Sequence, residues 1–309
     1  MSPPGRGWFA RAFLRLQAGA NLRDGGLQFM TPGPDMITQA EKACRFRALH
    51  VRDSAFIIPN PYDIGSARLL ANLGFEALAT TSSGFAFTLG RRDYGLRREQ
   101  VLTHILALNS ATNLPVSADL ENGFGGVPET AAETIRLAAA AGAVGGSIED
   151  STRRSDSPVF AIEPAAERVR AAAESARAVA SGFVLTARAE NYLYGRKDLK
   201  DTIQRLQAYE EAGADVLYAP GLTTKQDIAA VVKSVGRPVN VLMGLPGVSL
   251  TLADLSALGV KRVSVGGGLA RAALGGFLRA AREMRESGSF TWAAEAVSSL
   301  SELTAEFPE

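Results

Sequence analysis

Acidic side chains stand at the ends of two neighbouring apolar segments of this sequence. Asp119 and Glu121 close the segment that begins at Val116, and Glu149 follows the next one, Gly145–Ile148. Side chains alternate along a strand, so Asp119 and Glu121 emerge on the same side. Clustered carboxylates repel one another unless a cation lies among them, and hard oxygen donors suit Mg²⁺ or Mn²⁺. The spacing therefore predicts a divalent-metal site, and the alternative is that these acids cap the helices that follow.

Cationic and hydroxyl side chains follow other apolar segments. Arg188 closes the fifth segment, and its planar guanidinium could clamp a substrate carboxylate through two parallel hydrogen bonds. The alternative is an ion pair with Glu149 or Glu190 that holds neighbouring segments together. Ser83 and Gly84 follow the second segment, where their backbone N–H groups could bind an oxyanion or could simply form a turn. These residue types indicate a site for a small carboxylate.

Alternating strands and helices must position these residues. Gly follows a helical run and precedes an apolar stretch at four joints: Leu73-Gly74-Phe75, Ala141-Gly142-Ala143, Ala212-Gly213-Ala214 and Leu258-Gly259-Val260. Gly at such a point supplies the left-handed conformation that ends a helix. The predicted strands are Phe56–Pro59, Ala77–Thr81, Val116–Asp119, Gly145–Ile148, Phe183–Ala187, Val216–Ala219, Val239–Leu242 and Val263–Val265. Eight strands with helices between them predict a (β/α)8 TIM barrel with its site at the carboxyl ends of the strands, and the alternative is an open doubly wound sheet.

Two segments flank the predicted barrel, which spans residues 37–289. Residues 1–36 are rich in Pro, Gly and Arg and are expected to form a flexible extension, or to reflect a true start at Met36; an organelle transit peptide is the alternative. Residues 290–309 are expected to form a C-terminal helical segment that packs on the barrel or on a neighbouring subunit. Its apolar positions are Trp292, Val297, Leu300 and Leu303. No apolar run is long enough to cross a bilayer, and a cytoplasmic location is expected.

The composition excludes several other chemistries. The 309 residues include one cysteine, Cys44, and two histidines, His50 and His104, so a disulfide within the chain and a Cys-rich zinc site are excluded. Cys44 is expected to be a small buried residue. The net charge of +1 gives no reason to expect nucleic acid or a membrane as a partner. The chemistry must therefore rest on carboxylates, Arg, Tyr and hydroxyl groups.

The order of the motifs resembles that of the isocitrate lyase and phosphoenolpyruvate mutase superfamily. The matching stretches lie between about residues 40 and 285 and are Asn60-Pro61-Tyr62-Asp63, Ser66-Ala67-Arg68, Gly74-Phe75-Glu76-Ala77, Thr81-Ser82-Ser83-Gly84, Ser117–Gly125, Ser147-Ile148-Glu149-Asp150 and Thr186-Ala187-Arg188. The resemblance implies an (α/β)8 barrel, usually tetrameric, whose eighth helix is exchanged between subunits. It also implies a Mg²⁺-dependent site that stabilises the enolate of a short oxo acid.

The resemblance assigns roles to individual residues. The residues that match the metal-shell carboxylates, some of which act through water, are Asp93, Asp119, Glu121 and Glu149. Ser83 and Gly84 match the residues that hold the substrate carboxylate and the enolate oxygen. Arg188 matches the substrate-binding arginine.

The sequence departs from the superfamily where the acid–base and substrate-binding residues are expected. The Lys-Lys-Cys-Gly-His loop of the isocitrate-type lyases is absent, and the loop after Glu149 carries Arg153 and Arg154 instead. These two cations are expected to draw in an anionic substrate, and the alternative is that both are solvated charges. After strand six the mutases carry a His and the citrate-type lyases a Glu, whereas the corresponding stretch here, Tyr218-Ala219-Pro220-Gly221, has neither. Arg153, Tyr192 and Tyr218 are candidates for the missing proton donor, and Asn240 on strand seven is a further candidate for substrate binding.

These observations predict a Mg²⁺-dependent lyase that breaks a carbon–carbon bond in a short 2-oxo or 2-hydroxy acid through a metal-stabilised enolate. The alternatives are mutase or hydrolase chemistry at a carbon–phosphorus bond, an oxaloacetate-type decarboxylase, and a barrel that binds a small acid without catalysis. The expected partners are a small carboxylate and further copies of the chain, as a dimer or tetramer.

Overall fold

The computed structural model of the protein describes residues 37–296, 300–305 and 307. The predicted extension, residues 1–36, and the predicted apolar position Val297 lie outside these residues. Strands and helices alternate from Gln39 to Ser287, within the span predicted for the barrel.

The strands of the barrel are short and parallel. They are β1 (Phe56–Ile58), β2 (Leu78–Ala79), β3 (Val116–Asp119), β4 (Gly145–Glu149), β5 (Val184–Arg188), β6 (Val216–Tyr218), β7 (Val239–Leu242) and β8 (Arg262–Ser264). Two of the eight predicted ranges, those of β3 and β7, agree at both ends. The other ranges differ by one or two residues at an end, where side-chain patterns do not show which residue forms the last backbone hydrogen bond.

Helices separate the strands. They are α1 (Gln39–His50), α2 (Ile64–Asn72), α3 (Ser82–Thr88), α4 (Arg98–Ala111), α5 (Pro128–Ala140), α6 (Ile162–Arg177), α7 (Leu199–Glu211), α8 (Lys225–Ser234), α9 (Leu252–Ala257), α10 (Gly268–Ser287) and α11 (Leu300–Ala305). The predicted glycine joints are confirmed, because Gly74, Gly142, Gly213 and Gly259 have φ values of 83°, 98°, 103° and 87°.

The sheet closes into a barrel. Its strand order is β1-β8-β7-β6-β5-β4-β3-β2, so the first strand pairs with the last. The backbone N–H of Ala79 donates to the carbonyl of Pro59 at 3.0 Å, which joins the chain after β1 to β2. The predicted TIM barrel is therefore confirmed, and the open sheet is wrong.

The register of the barrel brings the candidate residues to one end. Glu149 pairs with Arg188, and Arg188 pairs with Tyr218 on the next strand. Asp119 ends β3 beside Ser147 of β4. The carboxyl ends of these parallel strands meet at the same edge, as the sequence predicts.

The structure differs from the sequence-based predictions at Cys44 and in the C-terminal segment. Cys44 is exposed rather than buried, because Ala43 and Phe46 define the inward face of α1 and Cys44 lies on the opposite face. The C-terminal segment is not one helix: a 3₁₀ helix, Thr291–Glu295, follows the left-handed residue Gly288 and precedes α11. None of the helices in the described residues has the length and apolar character needed to cross a membrane.

Candidate active site

Three of the predicted metal ligands line the carboxyl ends of β3 and β4. Asp119 ends β3 with a side chain 17% exposed, whereas the side chains of Glu121 and Glu149 are each 1% exposed. Glu121 lies just beyond the end of β3, where its own backbone is left-handed with φ 49°. This turn lets its side chain lie on the same side as that of Asp119. The structure therefore places these three acids at the same end of the barrel.

The loop after β2 holds Asp119 in place. The backbone N–H and the hydroxyl of Ser82 donate to Asp119 Oδ2 at 2.9 and 2.8 Å. The backbone N–H of Asp119 donates to Thr80 Oγ1 at 2.8 Å. Since Ser82 is the first residue of α3, Asp119 also stabilises the start of that helix, which precedes it in the chain, whereas the capping alternative concerned the helices that follow.

Arg188 is surrounded by acids. Its Nη1 lies 3.3 Å from Glu149 Oε2 and 3.8 Å from Asp119 Oδ1, and its Nε donates to Glu190. Burial opposes its charge, but Glu190 and Glu149 outweigh that effect and hold the pKa of Arg188 well above its ordinary value. The ion-pair alternative is therefore present in this structure.

Burial and the neighbouring arginines act in opposite directions on the pKa values of these acids. Burial raises the pKa of Glu121 to about 8, although the nearby Arg153 acts in the opposite direction. Burial also raises the pKa of Glu149 and of Glu190, against the effect of Arg188. Since burial is the main cause of these shifts, a bound cation would favour the charged form of the carboxylates.

The donor set fits a divalent metal ion, although the acids do not enclose one as they stand. Glu121 Oε1 is buried and has no hydrogen-bond partner among the described residues. Carboxylate oxygens of this kind suit Mg²⁺ or Mn²⁺. Within residues 37–296, 300–305 and 307, no three His, Cys, Asp or Glu side chains converge closely enough to hold a metal between them. Arg153 and Arg188 lie against the carboxylates instead.

The fourth predicted acid, Asp93, lies at the edge of this cluster. It is exposed, and its Oδ1 accepts the backbone N–H of Tyr94 at 3.0 Å. Partial desolvation and the charge of Asp119 raise the pKa of Asp93, whereas Arg188 and Arg153 lower it. Asp93 is thus close enough to feel the site's charges without being buried among them.

The two adjacent arginines of the β4 loop have different surroundings. Arg153 pairs with Glu121, and its guanidinium lies 5.1 Å from the centre of the Tyr94 ring. Arg154 pairs with Asp156 at 2.6 Å, and both side chains are about two-thirds exposed. The loop therefore brings Arg153 to the acids, and the solvated-charge alternative describes Arg154.

Gly84 lies in the first turn of α3. Its N–H donates to Thr81 Oγ1 at 3.2 Å, which is the cap of α3, so the plain-turn alternative accounts for it. A side chain at Gly84 would come within 2.6 Å of Thr81 Cγ2. The hydroxyl of Ser83 lies close to Gly267, which follows β8. A Cβ atom added at Gly267 would be only 2.6 Å from Ser83 Oγ.

The two candidates on β6 and β7 also differ. Tyr218 is buried, and Arg188 lies 5.3 Å from its ring centre. Burial raises the pKa of Tyr218 to about 12. Asn240 is 2% exposed, donates to Ser264 Oγ at 3.0 Å and accepts from Arg262 Nε at 3.0 Å. Both ends of its amide are occupied inside the barrel, so the geometry gives no support to substrate binding by Asn240.

Tyr94 and Asp150 belong to the site's structure although the sequence did not single them out for a role. The Tyr94 hydroxyl donates to Glu149 Oε1 at 2.8 Å. Its position directly after Asp93 is the signal that could have found it. Asp150 follows Glu149 but points the other way, as strand alternation requires, and accepts from Tyr209 at 2.6 Å and from Arg205 at 3.0 Å.

Comparison with known proteins identifies the family of this chain. The family model described as phosphoenolpyruvate phosphomutase matches residues 46–285. An uncharacterised protein of Mycobacterium tuberculosis H37Rv is 32% identical over 222 residues, which are 72% of this chain and 81% of the relative. The 2-methylisocitrate lyase of Halalkalibacterium halodurans is 27% identical over 242 residues, 76% of this chain and 74% of that enzyme.

Solved structures give the same result. A Burkholderia cenocepacia J2315 protein, provisionally assigned as a lyase/mutase, is 62% identical with a TM-score of 0.84, covering 86% of this chain and 95% of that one. A phosphonopyruvate hydrolase, solved with oxalate and Mg²⁺, is 27% identical with a TM-score of 0.74, covering 87% of this chain and 95% of that one. This chain therefore belongs to the phosphoenolpyruvate mutase family, within the isocitrate lyase and phosphoenolpyruvate mutase superfamily of lyases and mutases.

Proposed function

We propose that this protein is a divalent-metal-dependent lyase that breaks a carbon–carbon bond in a short 2-oxo or 2-hydroxy carboxylic acid through an enolate. The observation that carries the proposal is the cluster of Asp119, Glu121 and Glu149 at the carboxyl ends of β3 and β4, with Arg188 among them. The similarity to a 2-methylisocitrate lyase supports this reaction class.

The acids of the cluster would hold Mg²⁺ or Mn²⁺, in part through water, together with Asp93. A bound divalent ion would polarise the oxo group of the substrate and stabilise the negative charge of the enolate. Arg188 would bind the substrate carboxylate by exchanging part of its contact with Glu149 and Glu190. In cleavage of a 2-hydroxy acid, the hydroxyl proton would pass to a base, the carbinol carbon would become the oxo group of the released oxo acid, and the electron pair of the broken carbon–carbon bond would remain on the other product as its enolate. Tyr218, which keeps the proton on its hydroxyl at neutral pH, would donate that proton to the enolate carbon.

One observation favours a second candidate function. The similarity to a phosphonopyruvate hydrolase extends over 87% of this chain, at 27% identity. Hydrolysis of a carbon–phosphorus bond also passes through an enolate of pyruvate, so the same acids and Arg188 would serve it.

An assay with a panel of substrates tests the proposal. Short 2-oxo and 2-hydroxy acids and phosphonopyruvate would each be incubated with the protein and Mg²⁺, with detection of pyruvate or another oxo acid. We expect release of an oxo acid from a hydroxy acid, and its loss when EDTA is added. Phosphate release from phosphonopyruvate alone would favour the second candidate. Mg²⁺-dependent binding of these acids without any product would indicate the non-catalytic barrel.

We also propose that a second copy of the chain covers the exposed face of α10. Leu274, Phe277, Leu278 and Met284 recur at helical spacing on this helix and are 40%, 68%, 46% and 41% exposed. An apolar face of this kind marks an interaction surface. Light scattering should therefore give at least twice the chain mass of 32.6 kDa.

The variant Phe277→Glu should lower that mass, because it places a charge in the apolar face. The control Val51→Glu changes an apolar residue that is 81% exposed and directly follows α1. This variant should leave the mass unchanged. A wild-type mass near 33 kDa would contradict the proposed assembly.

A further inference from the structure

The described part of the chain has four non-glycine residues with left-handed backbone. They are Tyr94 (φ 59°), Glu121 (φ 49°), Phe124 (φ 61°) and Arg153 (φ 61°). They come from the segments after α3, β3 and β4. This conformation is unfavourable for residues that carry a Cβ atom, and it persists only where the surrounding contacts enforce it.

Three of these residues contact the guanidinium of the fourth, Arg153. It lies 5.1 Å from the ring centre of Tyr94 and 5.5 Å from that of Phe124. One of its terminal nitrogens donates to Glu121 Oε2. We call Tyr94, Phe124 and Glu121 the Arg153 clamp. It combines two cation–π contacts with a charge-assisted hydrogen bond.

The rest of the structure anchors the clamp on the Phe124 side. Arg168 is buried in α6 and donates to the carbonyl of Gly125 at 2.6 Å and to that of Asn122. Thr134 donates to the carbonyl of Gly123 at 2.8 Å. These bonds fix the loop that carries Phe124 and Glu121.

The other two segments are fixed as well. The Tyr94 hydroxyl donates to Glu149, and the backbone N–H of Arg153 donates to Ser151 Oγ at 3.2 Å. The clamp thus holds the guanidinium in one place without depending on a substrate.

We propose that Arg153 is a resident counter-cation of Glu121 and that it competes with the divalent ion for this carboxylate. The proposal rests on the metal site of the proposed function. The side chain of Glu121 is 1% exposed, and Arg153 supplies the positive neighbour of its carboxylate. An ion that takes over this carboxylate would release the hydrogen bond of Arg153, while Tyr94 and Phe124 keep its guanidinium at the mouth of the site. Its charge would then be available to the anionic end of a substrate.

Competition has a measurable consequence for metal affinity. Arg153→Met keeps most of the side-chain length and removes the charge, so Mg²⁺ should bind more tightly to this variant than to the wild type, by about tenfold. Isothermal titration calorimetry with MgCl₂ and no substrate measures this. The matched control is Arg154→Met, the neighbouring arginine that pairs with an exposed Asp156, and its Mg²⁺ affinity should equal that of the wild type.

A second variant keeps the charge and loosens the clamp. Phe124→Leu removes one cation–π contact, so Mg²⁺ should bind more tightly than to the wild type but less tightly than to Arg153→Met. This variant also tests the proposal if Arg153→Met does not fold.

The results of these titrations distinguish a failure of this proposal from a failure of the proposed function. If Arg153→Met and Phe124→Leu both bind Mg²⁺ no more tightly than a wild type that binds it normally, Arg153 does not compete with the ion. The metal-dependent function would still stand. Mg²⁺ binding by none of the proteins, including folded Arg153→Met, would overturn the metal site itself. Tighter binding by Arg154→Met to the same extent would also overturn the proposal, because the effect would then reflect net charge alone.

Discussion

Replacing Asp119 by Asn should abolish measurable Mg²⁺ binding and lower kcat/KM by at least about a thousandfold. Asn keeps the volume of the side chain, and its carbonyl oxygen can still accept from Ser82, so the start of α3 is preserved. What is lost is one negative charge and one hard oxygen ligand at the end of β3. Calorimetry with MgCl₂ measures the affinity, and initial rates on the substrate found in the panel measure the activity.

Asp156→Asn is the matched control for this experiment. Asp156 is an exposed acid that pairs with Arg154 outside the acid cluster, so its loss should change neither Mg²⁺ affinity nor rate. If Asp119→Asn bound Mg²⁺ as tightly as the wild type, Asp119 would be a cap of α3 and nothing more.

Arg188→Lys should lower kcat/KM by a factor of about a hundred to a thousand, mainly by raising KM. Lysine retains the positive charge that Glu149 and Glu190 need but loses the planar fork that binds a carboxylate at two points. Steady-state kinetics and calorimetric titration with oxalate in the presence of Mg²⁺ separate substrate binding from turnover.

The choice of lysine matters because the site is buried. Arg188→Met would leave Glu149 and Glu190 without their cation and should destabilise the fold by about 3–5 kcal/mol. Urea unfolding should therefore show a large loss for Met and a smaller one for Lys. Arg52→Lys, at an exposed ion pair with Glu76, is the control and should keep wild-type kinetics. Unchanged KM and oxalate affinity in Arg188→Lys would mean that Arg188 only stabilises the barrel through its ion pairs and does not bind the substrate.

The architecture could be predicted because its signals are local. Apolar runs of strand length and glycines after helical runs depend on neighbouring residues only, and both are present in the structure at the expected places. The positions of Asp119 and Glu149 at strand ends similarly placed them at one end of the barrel, since the carboxyl ends of parallel strands must lie together. Arg188 followed from the same rule.

The surroundings of individual site residues could not be predicted in this way. Arg153 and Arg154 are adjacent and chemically identical, yet one lies against Glu121 and the other against an exposed Asp156. A left-handed turn at Arg153 and the rings of Tyr94 and Phe124 decide between them, and those rings come from distant loops. Asn240 was selected for its polar side chain, but Arg262 and Ser264 occupy that side chain inside the barrel.

The sequence by itself determined the barrel, the family and the group of acids around Arg188, because periodicity, strand order and charge are properties of short stretches and of their order along the chain. Only the tertiary structure decided which cation lies against Glu121, which tyrosine donates to Glu149 and which serine holds Asp119. Each of these contacts joins segments separated by about thirty to fifty-five residues. Such contacts depend on how loops of different strands pack at the mouth of the barrel, and no stretch of sequence records that packing.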